Sequence, residues 1–243
     1  MTISSSIMVF ARVLGLCWTG PALAHPAIGV RTRLLAALLL AIVTSEALLG
    51  RISVPESTTG FVFALIGELV FGAALGASAA LIIAGARQAG EIVGAQAGLS
   101  AAALFDPEID EEMSVFGHLY GMIALAVFIG LDGPLILVRV FLASYESWPV
   151  GRMLVDLETT TMLFARVGDA LVLALGVAAP AAAALMMAGF AIAMLSRSAP
   201  ALPFSALALP LRSFCALVLV ILGLVALTST LSDRWIEWAR QPF

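Results

Sequence analysis

Long apolar stretches leave this chain few ways to fold. Six of them, residues 7–23, 34–49, 61–86, 92–104, 115–142 and 162–195, approach or exceed a bilayer-crossing helix, which needs about 20 apolar residues. A seventh, 202–231, is interrupted near its start by Pro203 and Pro210. Hydrophobic residues make up 62% of the 243 and charged residues 12%, against about half and about a quarter in a soluble domain. Too little polar surface remains to cover a globule in water, so the bilayer is the natural solvent. The predicted fold is an all-α integral membrane protein of six to seven helical segments. A single domain over 1–243 is expected, with only short polar loops at 50–59, 106–112 and 145–158.

The stretches are irregular in length. Residues 92–104 are too few to span alone, whereas 162–195 would run roughly 50 Å as one helix. Pro180 near the middle of the long stretch is expected to kink or split it. Such lengths predict interrupted or re-entrant helices. Residues 21–25 end in an A-x-A pattern, but no basic n-region precedes them and Arg12 lies inside the apolar run, so an uncleaved N-terminus is expected. Trp235 and Trp238, beside Arg234 and Arg240, read as an interfacial anchor.

Several function classes drop out. All twelve basic residues are arginine, and no basic patch with interleaved aromatics offers itself to nucleic acid. Cys17 and Cys215 lie in apolar surroundings without metal-type spacing and read as small hydrophobes. Five of the sixteen acids crowd into residues 106–112. Their alternating oxygens lack the glycine that turns a calcium loop, so no metal is expected; the run reads as a helix start with Asp106 as N-cap and Pro107 after it. Gly98-Leu99-Ser100-Ala101 has the G-x-S opening of intramembrane serine proteases, with His118 following, yet no phosphate loop, zinc helix or dinucleotide fingerprint accompanies it. Neither catalysis nor a cofactor is expected.

Two ladders of small residues stand out. Glu68, Gly72, Gly76, Ala80 and Ala84 recur every fourth residue, and so do Gly90, Gly94, Gly98 and Ala102. Each forms a ridge on a helix face that lets another backbone come close. The ridges serve packing inside one bundle, or a close-packed hairpin over 61–104 that docks other subunits. Glu68 sits in an apolar run, where an unpaired carboxylate costs several kcal/mol, so it must face a partner, protein or a polar channel. Arg12, Asp132, Arg139, Arg166, Asp169 and Arg212 pose the same question. This many embedded charges implies that much of the chain does not face lipid.

The order of these features resembles the FliR family of flagellar export proteins and its injectisome counterpart SctT. The resemblance begins with Arg12-Val13-Leu14-Gly15, Pro21 and Val30-Arg31-Thr32-Arg33. It continues through Glu68 with Gly72 and Gly76, Ala84-Gly85, the run from Ala89-Gly90-Glu91 to Gly98, and Phe105-Asp106-Pro107. Ser144-Tyr145, Trp148-Pro149-Val150-Gly151, Ala179-Pro180 and Arg197-Ser198-Ala199-Pro200 extend it over about residues 8–235. Leu131-Asp132, Ala201-Leu202-Pro203 and the dense acidic run depart from the family pattern.

The resemblance implies a non-catalytic subunit of the type III protein-export gate, in the bacterial inner membrane at a flagellar basal body or injectisome base. Its implied partners are FliP-like and FliQ-like subunits in a tapering helical assembly, an FlhB-like subunit, unfolded exported proteins and membrane lipid. The implied pore plug is Leu104, Phe105, Asp106 and Pro107, with Met113 and Phe116 following. Implied packing positions are Glu68, Gly72, Gly76, Gly90, Gly94, Gly98, Pro180, Arg197 and Pro200. The competing reading is a small secondary transporter using embedded charges, although no internal repeat relates the two halves.

Overall fold

The computed structural model describes residues 3–21, 23–24, 28–47, 57–98, 114–151, 157–198 and 204–240. Among them the regular structure is all helix: α1 (Ile3–Thr19), α2 (Val30–Ala47), α3 (Thr58–Ala97), α4 (Val115–Gly130), α5 (Gly133–Ser147), α6 (Leu157–Ser198) and α7 (Phe204–Arg240). Thr58–Ala97, Ala165–Met194 and Pro210–Arg240 are each long and apolar enough to cross a membrane. The pair α4 and α5 makes a fourth span if taken as one broken helix. The chain is an all-α integral membrane protein.

The hairpin expected over 61–104 is instead the continuous helix α3, 40 residues long. Arg87, Gln88 and Glu91 interrupt its apolar run, but all three are good helix formers and no proline intervenes. The helix starts where the Ser57 hydroxyl accepts the Gly60 N–H (3.1 Å). It stops at Gly98, whose φ of 80° is the left-handed cap conformation that glycine adopts without strain. By contrast, the apolar run 115–142 is broken: Asp132 takes φ 56° between α4 and α5, and Pro134 opens α5. Pro180 does not split its stretch, and α6 passes through it. The helix start expected at Asp106 lies outside the described residues; α4 begins at Val115.

The chain gathers into two compact units. One comprises residues 1–81, 128–168 and 235–243; the other comprises 82–127 and 169–234. Helices α3, α4, α6 and α7 each contribute to both. In the first unit the C-terminal tryptophans are core residues rather than the interfacial anchor expected. Trp235 and Trp238 are 3% and 2% exposed. Trp238 donates its indole N–H to the Ser78 hydroxyl (3.1 Å), and the Trp235 ring lies 4.5 Å from that of Phe128. Both rings thereby gain packing that lipid headgroups do not offer.

Candidate functional site

The first unit is organised around two charges that water never reaches. Arg12 of α1 and Glu68 of α3 are both fully buried, and the Arg12 Nε donates to Glu68 Oε2 at 2.5 Å. Both Nη atoms and the second carboxylate oxygen find partners nearby. Arg12 Nη1 reaches the Ser144 hydroxyl (3.4 Å), and Nη2 donates to the Trp148 carbonyl (3.1 Å). Glu68 Oε1 accepts the Gly151 N–H (3.0 Å). The guanidinium also lies over the rings of Phe71 and Tyr145, 4.8 and 4.3 Å from their centroids. One ion pair thus ties α1, α3, the end of α5 and the turn after it. This answers where Glu68 faces: a protein cation.

Glycines make this pairing geometrically possible. A Cβ on Gly72 would strike the Arg12 backbone carbonyl, and one on Gly15 would strike the backbone of Leu69 and Ala73. One turn further on, Gly76 leaves room for Leu16, Thr19 and Gly20, and the Thr19 hydroxyl donates to the Ala73 carbonyl (2.8 Å). The first ridge therefore serves α1 of the same chain. It brings the two backbones close enough for Arg12 and Glu68 to meet.

The second ridge works in the second unit. A Cβ on Gly90 would collide with the backbone at Phe116 and Gly117, and one on Gly94 with the side chain of Ser114. Here α3 also caps α4. The Ser114 hydroxyl accepts the Gly117 N–H (3.1 Å), while the Glu91 carboxylate accepts the Ser114 N–H (2.9 Å). In a capping box the glutamate occupies the third helical position of the same helix. That position is Gly117, and the carboxylate of Glu91 fills the space its side chain would take. Arg87, one turn earlier, lies across Gly121 in the same way.

Of the predicted plug residues, Leu104, Phe105, Asp106, Pro107 and Met113 lie outside the described residues, as does Pro200. Phe116 is 5% exposed and packs at the start of α4. Gly98 terminates α3, Pro180 lies exposed within α6, and Arg197 is exposed in the last turn of that helix. His118 is exposed on α4, and Ser100 lies outside the described residues. Sequence reasoning singled out Arg12 and Glu68 but did not pair them. It missed the cap formed by Glu91 and Ser114 altogether. The signal for the latter was present: a serine directly before the apolar run at Val115 marks a helix start.

Four segments of the ordered motif series therefore meet at the buried pair: Arg12 to Gly15, Glu68 to Gly76, Ser144-Tyr145 and Trp148 to Gly151. The profile of the family described as "Bacterial export proteins, family 1" matches residues 3–237. The flagellar biosynthetic protein FliR of Pectobacterium carotovorum is 29% identical over 210 residues, 86% of this chain and 80% of the relative. The protein of the same name from Caulobacter vibrioides is 26% identical, covering 95% of this chain and 92% of its own length. The Yop proteins translocation protein T of Yersinia pestis is 30% identical over 65% of this chain and 62% of its own. The chain belongs to family 1 of the bacterial export proteins.

Proposed function

We propose that the chain is a non-catalytic subunit of a type III export gate, working as one domain in the bacterial inner membrane at a flagellar or injectisome base. The observation that carries this reading is family membership over residues 3–237, with relatives named both for flagellar biosynthesis and for Yop translocation. FliP-like, FliQ-like and FlhB-like subunits are its partners, and unfolded proteins pass the pore it helps to form. Leu104, Phe105, Asp106, Pro107 and Met113 plug that pore, because a ring of apolar side chains excludes water and ions until cargo displaces it. Phe116, buried at the foot of α4, braces the plug rather than lining the pore.

The transporter alternative needs an ionisable group free to change partners. Glu68, its leading candidate, spends both carboxylate oxygens on Arg12 and the Gly151 N–H, which favours a structural role. The test is co-expression with the neighbouring export genes, followed by native mass spectrometry. A discrete hetero-oligomer with one copy of this chain is expected. A stable monomer or homodimer under the same conditions would overturn the gate reading.

A further inference from the structure

Helix α5 spends one face on the first unit and turns a patterned face outward. Leu137 lies against Gly20, Ser144 and Tyr145 meet Arg12, and the Tyr145 ring packs edge-on against Phe141. Opposite these side chains stand Asp132, Leu135, Arg139, Leu142 and Glu146, all exposed. At about 100° per residue the five fall within about 80° of one another, in a stripe about 21 Å long. The inner contacts hold α5 in place, so the stripe is presented by a fixed helix.

The stripe has a period. Its charges run acid, base, acid at seven-residue intervals, and a leucine follows each of the first two by three residues. Seven residues is the repeat with which one helix faces another along a seam. None of the three charged side chains has an ion pair or hydrogen bond among the described residues. They do not reach each other either, since neighbours in the series stand about 10 Å apart along the axis. Lipid is a poor cover, because each unpaired charge in hydrocarbon is costly. Glu146 also lies in the last turn of α5, where the helix dipole disfavours an acid, so α5 itself does not account for its place. A second copy of α5 matches badly. In register, parallel or antiparallel, like charges meet. Sliding by seven residues matches two of the three and leaves half of the stripe uncovered. A helix of reversed charge matches all three.

We propose that the outer face of α5 docks a helix of a different subunit, one that carries base, acid, base at seven-residue intervals with small or apolar residues between them. Such pairs set register and choice of partner more than strength. The proposal rests on the export-gate reading, which requires other subunits. In the test, the chain is co-expressed with the neighbouring export genes and carries photoreactive benzoylphenylalanine in place of Leu135 or Leu142. After irradiation the cross-linked peptide is sequenced. From both positions it is expected to be a helix of another subunit with the reversed charge series. Arg139→Glu sets an acid against that helix's acid and is expected to lower the fraction of complexes retaining the subunit about tenfold, read by native mass spectrometry. The thermal midpoint of the isolated chain stays unchanged, because Arg139 is exposed. Reversing the facing acid of the partner to lysine restores retention. A hetero-oligomer in which the cross-links reach a second copy, a helix without the series, or no protein overturns the docking and leaves the gate reading standing. Full retention of every subunit in Arg139→Glu does the same. If no hetero-oligomer forms at all, the gate reading fails and the docking falls with it.

Discussion

Arg12 and Glu68 lie 56 positions apart, and their pairing sets what each substitution costs. A buried ion pair contributes little net stability over a well-packed apolar pair, but removing one partner strands the other charge at about 3–5 kcal/mol. Arg12→Ala and Glu68→Ala are each expected to lower the thermal midpoint of the detergent-solubilised chain and its yield. Arg12→Met with Glu68→Leu recovers part of the loss. Recovery stays incomplete because the Trp148 carbonyl and the Gly151 N–H lose their partners, at about 1–3 kcal/mol each. A double variant no better than the singles would show that the pair does not act as one unit. Sequence reasoning identified both charges, because an embedded arginine and glutamate are conspicuous in apolar runs. It could not pair them, because seven embedded charges allow many pairings and only the tertiary fold selects one.

At the scale of the element, glycines of one composition do opposite work, and their substitutions separate the two cases. Gly72→Ala drives a Cβ into the Arg12 carbonyl and is expected to cost about 1–3 kcal/mol through a backbone shift. Gly223→Ala meets nothing and is expected to stabilise α7 by about 0.5–1 kcal/mol. Both are read as thermal midpoints of the purified chain; equal shifts would refute the packing assigned to the first ridge. The shared cap gives a sharper test. Glu91→Ala removes the acceptor of the Ser114 N–H and costs about 0.5–2 kcal/mol. Gly117→Glu alone costs less, since its Cβ meets only the carboxylate end of the flexible Glu91 side chain, which can swing aside. Combined, the two changes put the glutamate back at its usual place in a capping box, so the double variant is more stable than Glu91→Ala. Additive losses would sink this account of the cap. The helices themselves were legible as apolar runs, and Pro134 marked the joint between α4 and α5, but the continuity of α3 was not legible. Polar residues inside α3 suggested a break because they would be costly against lipid, whereas Arg87 and Glu91 are spent on α4.

For the whole molecule, the same cap decides how the proposed plug can be tested without dismantling the chain. The proposed plug residues lie in the sequence between Gly98, where α3 ends, and Ser114, which caps α4. Ser114 is fixed by Glu91 and by the close approach of Gly94. Substitutions between those points leave the fixed ends intact. Phe105→Ala with Met113→Ala is therefore expected to assemble normally and to let ions leak through the resting pore in planar-bilayer recordings. Phe116→Ala behaves differently. Its ring is buried at the foot of α4, and its loss costs about 3–5 kcal/mol of packing, seen as reduced complex yield before any change in conductance. Unchanged conductance in the Phe105 and Met113 double variant would remove those side chains from the plug. A leak from Phe116→Ala at normal yield would place that ring in the pore and reverse the division drawn between brace and plug.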